Sequence, residues 1–398
     1  MRPPSQPPHP VVVTRDDALR DLLTSIGHVG RDGRLALDIE ASGMFAYHAR
    51  PCTVQLGWDG GREIAIVDVL TAPIASLAPV LGVDGPVKIV HDVAFDARLL
   101  AECGVALANV HDTSVAARML SRPATGLATL LDVELGIHIT KTMQQHDWRE
   151  RPLDESMLEY LAADVAHLEA LERKLWSELQ ERGIEEAVLE ETRYRIASAA
   201  AASQPAPVVP AYARVKGAGR LAERELAALR VAAELREHEA ERRDVPPHQV
   251  ASADALLAIA RTRPSNAEAL ARIRGISMAT PDGQGFAATL LRGLASAGDR
   301  IPEIERAYFE PARMPAEEAR LRREREQRLI AWRRSEAKRR GVDEQVVLPG
   351  HCLKDAVNAG IQSAAEVSRV PGIGAFRVAQ DGEAIARALL GAAAEASA

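Results

Sequence analysis

Cysteines, aromatic residues and long apolar runs are all scarce in this chain of 398 residues. The three cysteines (Cys52, Cys103 and Cys352) are far apart and include no CxxC pair, which argues against a disulfide framework and a zinc site. They predict a reducing, cytoplasmic compartment. No apolar run approaches the roughly 20 residues that span a bilayer, so we expect no membrane partner. The first ten residues are proline-rich and polar, and therefore do not resemble a secretory signal.

The rest of the composition is that of an ordinary globular protein, with 47% hydrophobic and 26% charged residues. Because aromatics make up only 4%, the cores must be built from Leu, Val, Ile and Ala. The net charge of −7 argues against a nucleic-acid coat protein. It does not exclude an enzyme that binds nucleic acid locally, because electrostatic attraction depends on where the charges lie.

The order of sequence patterns predicts an α/β domain followed by helices. Strand-like runs occupy much of the first 110 residues, helical patterns dominate from Asp112 onward, and Ser203–Pro210 carries three prolines that are typical of a linker. Two later helical segments share a plan that ends in a Gly-Ile turn, which indicates a duplicated module. We therefore expect an α/β domain over 11–200, a linker over 201–216, and all-α helical domains over 217–298 and 302–396.

Asp38 and Glu40 lie two residues apart on a predicted strand, Leu35 to Glu40. Alternate residues of a strand point to the same face, so both carboxylates share one face while Leu37 and Ile39 point into a core. Two carboxylates on one face repel each other, which suggests that a divalent cation binds there. The alternative is a solvent-facing strand end that needs no metal.

Further acidic residues occur at helix starts and on a late helix. Tyr160 and Asp164 are four residues apart and therefore share one helix face, although for this pair taken alone an ordinary amphipathic helix is the better explanation. Asp92 and Asp112 are each well placed to cap a helix N-terminus. Asp96 has no such capping role, which makes it a candidate for the site.

Together these motifs resemble the DEDD exonuclease superfamily, tyrosine subtype, and within it the ribonuclease D family. The resemblance rests on Asp-x-Glu at 38–40, on Lys-Ile-Val-His at 88–91 followed by Asp96, and on a third block from Lys141 to Val165 that includes Tyr160 and Asp164. The segment 221–298 is similar to an HRDC domain, the helicase and ribonuclease D C-terminal module. The segment after about 312 resembles a second, more divergent one.

The resemblance implies a fold, a reaction and a metal site. The fold would be a ribonuclease H-like α/β 3′→5′ exonuclease domain followed by all-α HRDC-type domains. Two divalent ions, Mg²⁺ or Mn²⁺, would assist phosphodiester hydrolysis. Asp38, Glu40 and Asp164 would hold the ion beside the attacking water, Asp38 would bridge to the second ion, and Asp96 would hold that second ion through water. Tyr160 would orient the attacking water.

Substrate contacts follow less directly from the sequence. Gln55 and His91 are positioned to approach the terminal nucleotide, and Lys141, Trp148 and Arg151 to reach phosphates or stack on a base. Packing beneath a loop is the alternative for Trp148, and a solvated side chain is the alternative for Arg151.

The C-terminal half contains a basic stretch at 313–340, in which glutamates alternate with arginines around Trp332. It would bind the RNA backbone, or it is a solvated helix with ion pairs that Trp332 anchors to a core. The turn at 370–374 resembles a helix-hairpin-helix turn whose N–H groups would meet a phosphate.

The function that these expectations support is a monomeric 3′→5′ exoribonuclease that trims structured RNA such as tRNA precursors and releases nucleoside 5′-monophosphates. Two alternatives stay open at this point. One is a DNA exonuclease on the same fold, since no residue decides whether a 2′-hydroxyl is required. The other is a non-enzymatic RNA-binding adaptor, which the intact carboxylates disfavour.

Overall fold

The structure is a computed structural model that describes residues 8–139, 143–203, 209–276, 278–309, 314–361 and 363–391. The chain divides into two compact units. The first comprises Met1–Glu40, Pro51–Gln204 and Met314–Ala398, and the second comprises Ala41–Arg50 and Pro205–Arg313. The segment 314–391 therefore lies in the same unit as the α/β portion. No helix among the described residues is long and apolar enough to cross a membrane.

The first unit is built on a mixed sheet of six strands in the order β1-β4-β3-β2-β5-β6. The strands are β1 (Val11–Val13), β2 (Arg34–Ala41), β3 (Pro51–Trp58), β4 (Glu63–Asp68), β5 (Val87–Val90) and β6 (Val110–Asp112). Strands β1 and β4, β2 and β5, and β5 and β6 pair in parallel, whereas β3 and β4 pair antiparallel. This confirms the predicted α/β class.

Helices connect and follow these strands in the first unit. They are α1 (Asp16–Gly27), α2 (Ala78–Leu81), α3 (Ala94–Glu102), α4 (Thr113–Met119), α5 (Leu127–Leu130), α6 (Glu155–Ala166), α7 (Leu168–Glu181) and α8 (Glu185–Ala202).

The central strand β2 is covered on both faces, as its sequence leads one to expect. Leu35, Leu37 and Ile39 are buried on one face, and Ala36 is buried on the other. Asp38 lies on the same face as Ala36, where it is only partly buried. The strand therefore delivers its carboxylates to a covered sheet face rather than to open solvent.

Helix α6 packs across β3 and β4 and approaches them closely. Gly61, in the turn between these strands, has φ +81°, and a Cβ atom added there would lie 1.9 Å from the carbonyl oxygen of Ala166. Only glycine combines this backbone conformation with the close contact. Ala162 on α6 is buried, and its small side chain helps to keep the helix near the sheet.

Asp112 accepts hydrogen bonds at the starts of both helices that follow β5 and β6. Asp112 is fully buried and caps α4 as expected, accepting hydrogen bonds from the N–H groups of Ser114 and Val115. The expectation that Asp92 caps α3 is wrong. Asp92 has φ +69°, which places it outside the helix, and its own N–H and that of Val93 donate to Asp112 instead.

The C-terminal module, residues 314–391, completes the first unit. It contains α14 (Ala316–Arg340), α15 (Glu344–Val347), α16 (Gly350–Asn358), α17 (Ala364–Val367) and α18 (Ala375–Leu390). Its attachment to α8 includes a fully buried ion pair in which Arg377 Nη1 donates to Glu190 Oε2 at 2.9 Å. The interior of the unit therefore continues from the α/β portion into this module.

The turn at 370–374 is part of that attachment. Glu190 Oε1 accepts a hydrogen bond of 2.8 Å from the N–H of Phe376 in the first turn of α18, and a Cβ atom at Gly374 would lie 2.1 Å from the same carboxylate oxygen. The expectation that this turn meets a phosphate is therefore wrong, because a protein carboxylate already occupies the helix N-terminus.

The second unit is helical. Its helices are α9 (Glu223–Arg243), α10 (Pro247–Val250), α11 (Ala253–Thr262), α12 (Ala267–Ala271) and α13 (Pro281–Ser296). The segment 201–216 is expected to be a linker. In the structure α8 runs on to Ala202, and a 3-10 helix forms later in the segment, at Ala211–Arg214. In that helix Tyr212 is fully buried, and its hydroxyl donates to Glu305 at 2.7 Å.

Candidate metal-dependent active site

Three carboxylates from two elements meet in one pocket. Asp38 and Glu40 come from β2 and Asp164 comes from α6, and one ligand oxygen of each lies within 4.8 Å of the others. They line a pocket of about 410 Å³ together with Tyr160 and His91. The sequence placed these residues on one strand face and one helix face, and the close packing of α6 on the sheet brings the two faces together.

Asp96 lies next to this cluster but outside the pocket lining. It is on the first turn of α3, with 6% of its surface exposed. Burial raises its pKa well above the usual aspartate range, and the charges of Asp38 and Glu40 add to that effect. The fourth predicted carboxylate is therefore close enough to act electrostatically on the same site.

The three carboxylates of the cluster all have raised pKa values. Burial raises the pKa of Asp38 to about 6, and burial together with the charge of Asp38 raises the pKa of Glu40 to about 8. Burial and then Asp38 also raise the pKa of Asp164. No described lysine or arginine forms an ion pair with these three residues. Oxygen ligands without a counter-ion suit a divalent cation such as Mg²⁺ or Mn²⁺, so the donor set fits a metal site.

Tyr160 stays protonated in this setting. Burial raises its pKa above the usual tyrosine value, and the negative charges of Asp164, Glu40 and Asp38 raise it further. A neutral phenol beside the carboxylates can donate a hydrogen bond to a water or to substrate, but it does not act as a base.

Trp148 is buried beside Tyr160 and presents no exposed ring face to a substrate. It is 1% exposed, and its ring centroid lies 5.6 Å from that of Tyr160. Its indole N–H faces Glu40 and favours the charged form of that carboxylate without reaching hydrogen-bond geometry. Packing beneath the loop, the alternative considered for this residue, is what the structure shows, and no ring face is free for a base.

Three of the other expected substrate contacts lie elsewhere or outside the described residues. Gln55 is fully buried, donates to Thr53 at 2.7 Å, and does not line the pocket, because both faces of β3 are covered. Arg151 makes a two-pronged ion pair with Asp68 at 2.6 and 2.8 Å. Lys141 lies outside the described residues.

His91 lines the pocket as expected. Its Nδ1 lies 2.9 Å from Thr113 Oγ1, and burial lowers its pKa, so that the ring is neutral near pH 7. It can therefore exchange hydrogen bonds with substrate but brings no positive charge.

The sequence analysis missed the wall that α4 contributes to this pocket. Ser114 and Arg118, one helical turn apart on α4, both line it. A lone serine and a lone arginine on a short helix give no local signal. Only the spacing of four residues, together with the neighbouring Asp112, could have marked this face.

The arginines of the basic stretch in the C-terminal module fall into two groups. In the second half of α14 the arginines serve the module itself: Arg328 donates to the carbonyl oxygens of Ala388 and Leu389, and Arg340 pairs with the buried Asp381. Trp332 packs on the core of this module, as the structural alternative predicted. Arg322 and Arg325, in the first half, line a groove and have no carboxylate partner among the described residues. Arg313 lies outside that range.

Comparisons with known proteins agree with this site. The sequence pattern of the 3′-5′ exonuclease domain matches residues 10–180, and that of the HRDC domain matches 225–282 and 322–389. The two HRDC matches confirm the predicted duplication of the helical module.

Relatives and solved structures extend the similarity over most of the chain. Ribonuclease D of Granulibacter bethesdensis is 32% identical over 295 residues, which cover 73% of this chain and 72% of that protein. Ribonuclease D of Acidiphilium cryptum is 30% identical over 79% of this chain and 80% of that protein. The crystal structure of Escherichia coli RNase D, described as an exoribonuclease involved in structured RNA processing, shares the fold with a TM-score of 0.65 and 21% identity over 96% of this chain and 98% of that one.

A protein from Bifidobacterium adolescentis has the same fold, with a TM-score of 0.73 and 22% identity over 98% of this chain and 100% of that one. The fold, the paired domain patterns and relatives at 30% identity or more agree with the geometry of the carboxylate pocket. The chain therefore belongs to the ribonuclease D family of 3′-5′ exoribonucleases.

Proposed function

We propose that this chain removes nucleotides from the 3′ end of RNA by a two-metal-ion mechanism and releases nucleoside 5′-monophosphates. The observation that carries the proposal is the set of three carboxylates within 4.8 Å of one another, beside a protonated tyrosine, on an exonuclease fold. No lysine or arginine among the described residues pairs with the set, and oxygen ligands of this kind suit divalent cations.

The residues divide the work as follows. Asp38, Glu40 and Asp164 would hold the ion that activates the attacking water, and Asp38 together with Asp96 would hold the second ion. When bound, the two cations supply positive charge at the scissile phosphate and make the attacking water more acidic. The raised pKa values of Asp38 and Glu40 mean that ion binding displaces protons from the site.

Tyr160 positions the attacking water through its phenolic hydroxyl. Its ring lies beside that of Trp148, with the ring centroids 5.6 Å apart, and the residue lines the same pocket as the carboxylates. Its raised pKa keeps the proton on the oxygen, which makes it a donor over the whole physiological range.

The substrate that we propose is structured RNA such as a tRNA precursor. The two HRDC matches supply helical modules that would hold the body of the RNA, with Arg322 and Arg325 as cations available to its backbone. We further propose the boundaries 11–200, 201–216, 217–298 and 302–396 for the sequence domains. We propose a monomer in a reducing, cytoplasmic setting, which suits three cysteines that form no disulfide.

The test is product analysis with a 3′-extended tRNA. Wild-type protein should shorten this RNA stepwise and release 5′-monophosphates with Mg²⁺ or Mn²⁺ but not with a chelator. Asp38→Ala should lower kcat by a factor of about a thousand or more, because it removes the ligand shared by both ions. Asp84→Ala, which changes a surface aspartate paired with Arg31, should leave the activity unchanged.

A matched DNA strand separates the remaining alternative on the same fold. Equal cleavage of DNA and RNA would replace the proposal with a general 3′→5′ exonuclease. Tight binding of RNA without cleavage under either metal would leave only the adaptor.

A further inference from the structure

The part of the pocket lining that α4 contributes carries polar groups that the metal chemistry does not use. It is formed by the N-terminal turn of α4 and by its last turn, where Ser114 and Arg118 line the same cavity as the carboxylates. Because they are four residues apart, the two side chains lie one above the other on one helix face.

Ser114 has an unsatisfied hydroxyl. The residue is 4% exposed, and its Oγ finds no hydrogen-bond partner among the described residues. The neighbouring Thr113, by contrast, donates its hydroxyl proton to the carbonyl oxygen of Val90 at 2.9 Å. A buried hydroxyl without a partner costs free energy, so a group that enters the pocket and pairs with it gains binding energy.

Arg118 is an exposed cation without a partner. No described carboxylate lies within ion-pair distance of it, although Asp38, Glu40 and Asp164 line the same pocket. Arg122, one turn further along the chain, shows the usual alternative: it is held by Glu134 at 2.7 Å and by Glu178 at 2.5 Å. The guanidinium of Arg118 is thus left for a ligand, and among the described residues that line the pocket it is the one arginine, with no lysine.

We infer that Ser114 and Arg118 form a second subsite of the pocket that binds a phosphate of the RNA other than the one being cleaved. The guanidinium pairs with the non-bridging oxygens, and the Ser114 hydroxyl donates a hydrogen bond to the same backbone. A phosphate suits this pair because the planar fork of the arginine guanidinium matches its non-bridging oxygens. The identity of the ligand rests on the proposed ribonuclease function.

The subsite would fix the register of the strand. The carboxylate cluster recognises only a scissile phosphate, so a chain held at that point alone can slide by one nucleotide. A second contact at a set distance along the backbone holds the strand end against the reacting centre, which lowers KM more than it raises kcat. Arg118 is therefore a substrate-binding residue and not a catalytic one.

The experiment measures binding without cleavage and then cleavage. A short single-stranded oligoribonucleotide with a 3′-hydroxyl is titrated by fluorescence anisotropy in a chelator at several salt concentrations, with wild type, Arg118→Gln, Arg118→Lys and Ser114→Ala. Arg20→Gln is the matched control, because Arg20 is exposed on α1 and does not line the pocket. Melting temperatures establish that each variant is folded.

We expect Arg118→Gln to bind the oligoribonucleotide about tenfold more weakly. The slope of log K against the logarithm of the salt concentration should become less steep by about 0.7, as the loss of one phosphate contact requires. Arg118→Lys should recover the slope but not the full affinity, and Ser114→Ala should weaken binding about threefold. In cleavage assays Arg118→Gln should raise KM about tenfold and change kcat by no more than about twofold.

The two proposals fail separately. If Arg118→Gln binds with the wild-type affinity and salt slope, or loses kcat with an unchanged KM, the subsite is overturned even where wild type cleaves RNA. If wild type cleaves no RNA but Arg118→Gln still loses affinity and slope, the subsite stands and the proposed ribonuclease function falls.

Discussion

At the scale of single residues, each carboxylate in the pocket destabilises the metal-free protein when it is charged. The pKa of Asp38 rises to about 6 and that of Glu40 to about 8 in the folded chain, from unfolded values near 4. Between those limits the folded state holds protons that the unfolded state has released. The stabilising contribution is therefore complete below about pH 4 and is lost as the pH rises through 6 and 8.

We predict that, in a chelator, the free energy of unfolding decreases between pH 4 and 8, by about 3 kcal/mol for Asp38 alone. Mn²⁺ should restore the stability that is lost at high pH. It should raise the melting temperature more at pH 8 than at pH 5, because the carboxyl ligands must be deprotonated to bind the ion. Differential scanning calorimetry at matched ionic strength measures both effects.

Asp164→Asn should be more stable than wild type in chelator at pH 8 and should lose most of the stabilisation by Mn²⁺. The reason is that the change removes a carboxylate charge that burial disfavours and that the neighbouring charges of Asp38 and Glu40 disfavour further. Asp84→Asn, at the surface, serves as the control and should respond as wild type does. A wild-type protein whose metal-free stability does not change from pH 4 to 8 would contradict this account of the pocket.

For Tyr160 we predict that replacement by Phe lowers kcat about tenfold to a hundredfold, leaves the affinity for Mn²⁺ unchanged, and leaves the shape of the pH–rate profile unchanged. The hydroxyl that positions water is lost, whereas no titrating group is removed, because the pKa of Tyr160 lies above the working range. Tyr194→Phe, which changes a tyrosine stacked on His351 outside the pocket, is the control. Loss of an alkaline limb in Tyr160→Phe would show instead that the phenolate takes part.

The residues of the site differ in how far the sequence could reveal them. Asp38 with Glu40 and Tyr160 with Asp164 follow from strand and helix periodicity, because each pair lies within one element. The burial of Gln55 could not be predicted, since alternation along β3 is lost where both faces are covered. Arg118 carries no local signal at all, and only its position in the folded pocket distinguishes it from other exposed arginines.

At the scale of secondary-structure elements, the contact of α8 with α18 depends on the ion pair of Arg377 and Glu190. Both side chains are buried, and Arg377 also donates to the carbonyl oxygen of Ala187 at 3.1 Å. We predict that Arg377→Met lowers the free energy of unfolding by about 3–5 kcal/mol, because Glu190 is left buried without its partner. Chemical denaturation measures the change.

Arg369→Met on the same module is the matched control, since its pair with Glu366 at 3.7 Å is exposed on the arginine side and is worth at most about 0.5 kcal/mol. The double variant Arg377→Met with Glu190→Leu should regain part of the lost stability. Equal stability of Arg377→Met and Arg369→Met would show that the buried pair does not hold the two helices together.

Elements were easier to predict than their contacts. The strand expected at 35–40 is confirmed within a residue at each end as Arg34–Ala41, because it is a short apolar run bounded by turn residues. The hydrogen bonds that Asp112 accepts from Asp92 and Val93, just before α3, could not be predicted, since they join residues about twenty positions apart. The contact between α18 and α8 is likewise a feature of the tertiary structure that the sequence of neither helix predicts.

At the scale of the whole molecule, the C-terminal module and the α/β portion share one interior. Val346 of the module is buried in the same apolar cluster as Val115 on α4 and Leu175 on α7, and Phe376 packs against that cluster. We predict that a chain ending at residue 313 melts about 10 °C or more below the full chain, because it exposes this apolar surface and leaves Glu190 without a partner. Thermal unfolding measures the difference.

Addition of residues 314–398 as a separate polypeptide should recover part of the lost melting temperature, which a non-specific stabiliser of equal concentration should not do. If the shortened chain has the same melting temperature as the full chain, the shared interior contributes nothing to stability. The sequence showed that two similar helical modules follow the exonuclease domain. It could not show which of them completes the first unit, because that depends on the surface of α4, α7 and α8 rather than on either module.

The arrangement of units along the chain has a consequence for synthesis on the ribosome. The first unit is interrupted in sequence by residues 205–313, and its interior is completed only by Val346, Arg377 and their neighbours. All residues of the second unit leave the ribosome before those neighbours do, so that unit is free to fold first. Until the neighbours follow, the sheet that carries the carboxylates keeps an apolar face exposed. The carboxylate pocket therefore acquires its complete support only after translation has passed the second unit, and a message truncated in between would encode every metal ligand in a unit whose apolar face stays exposed.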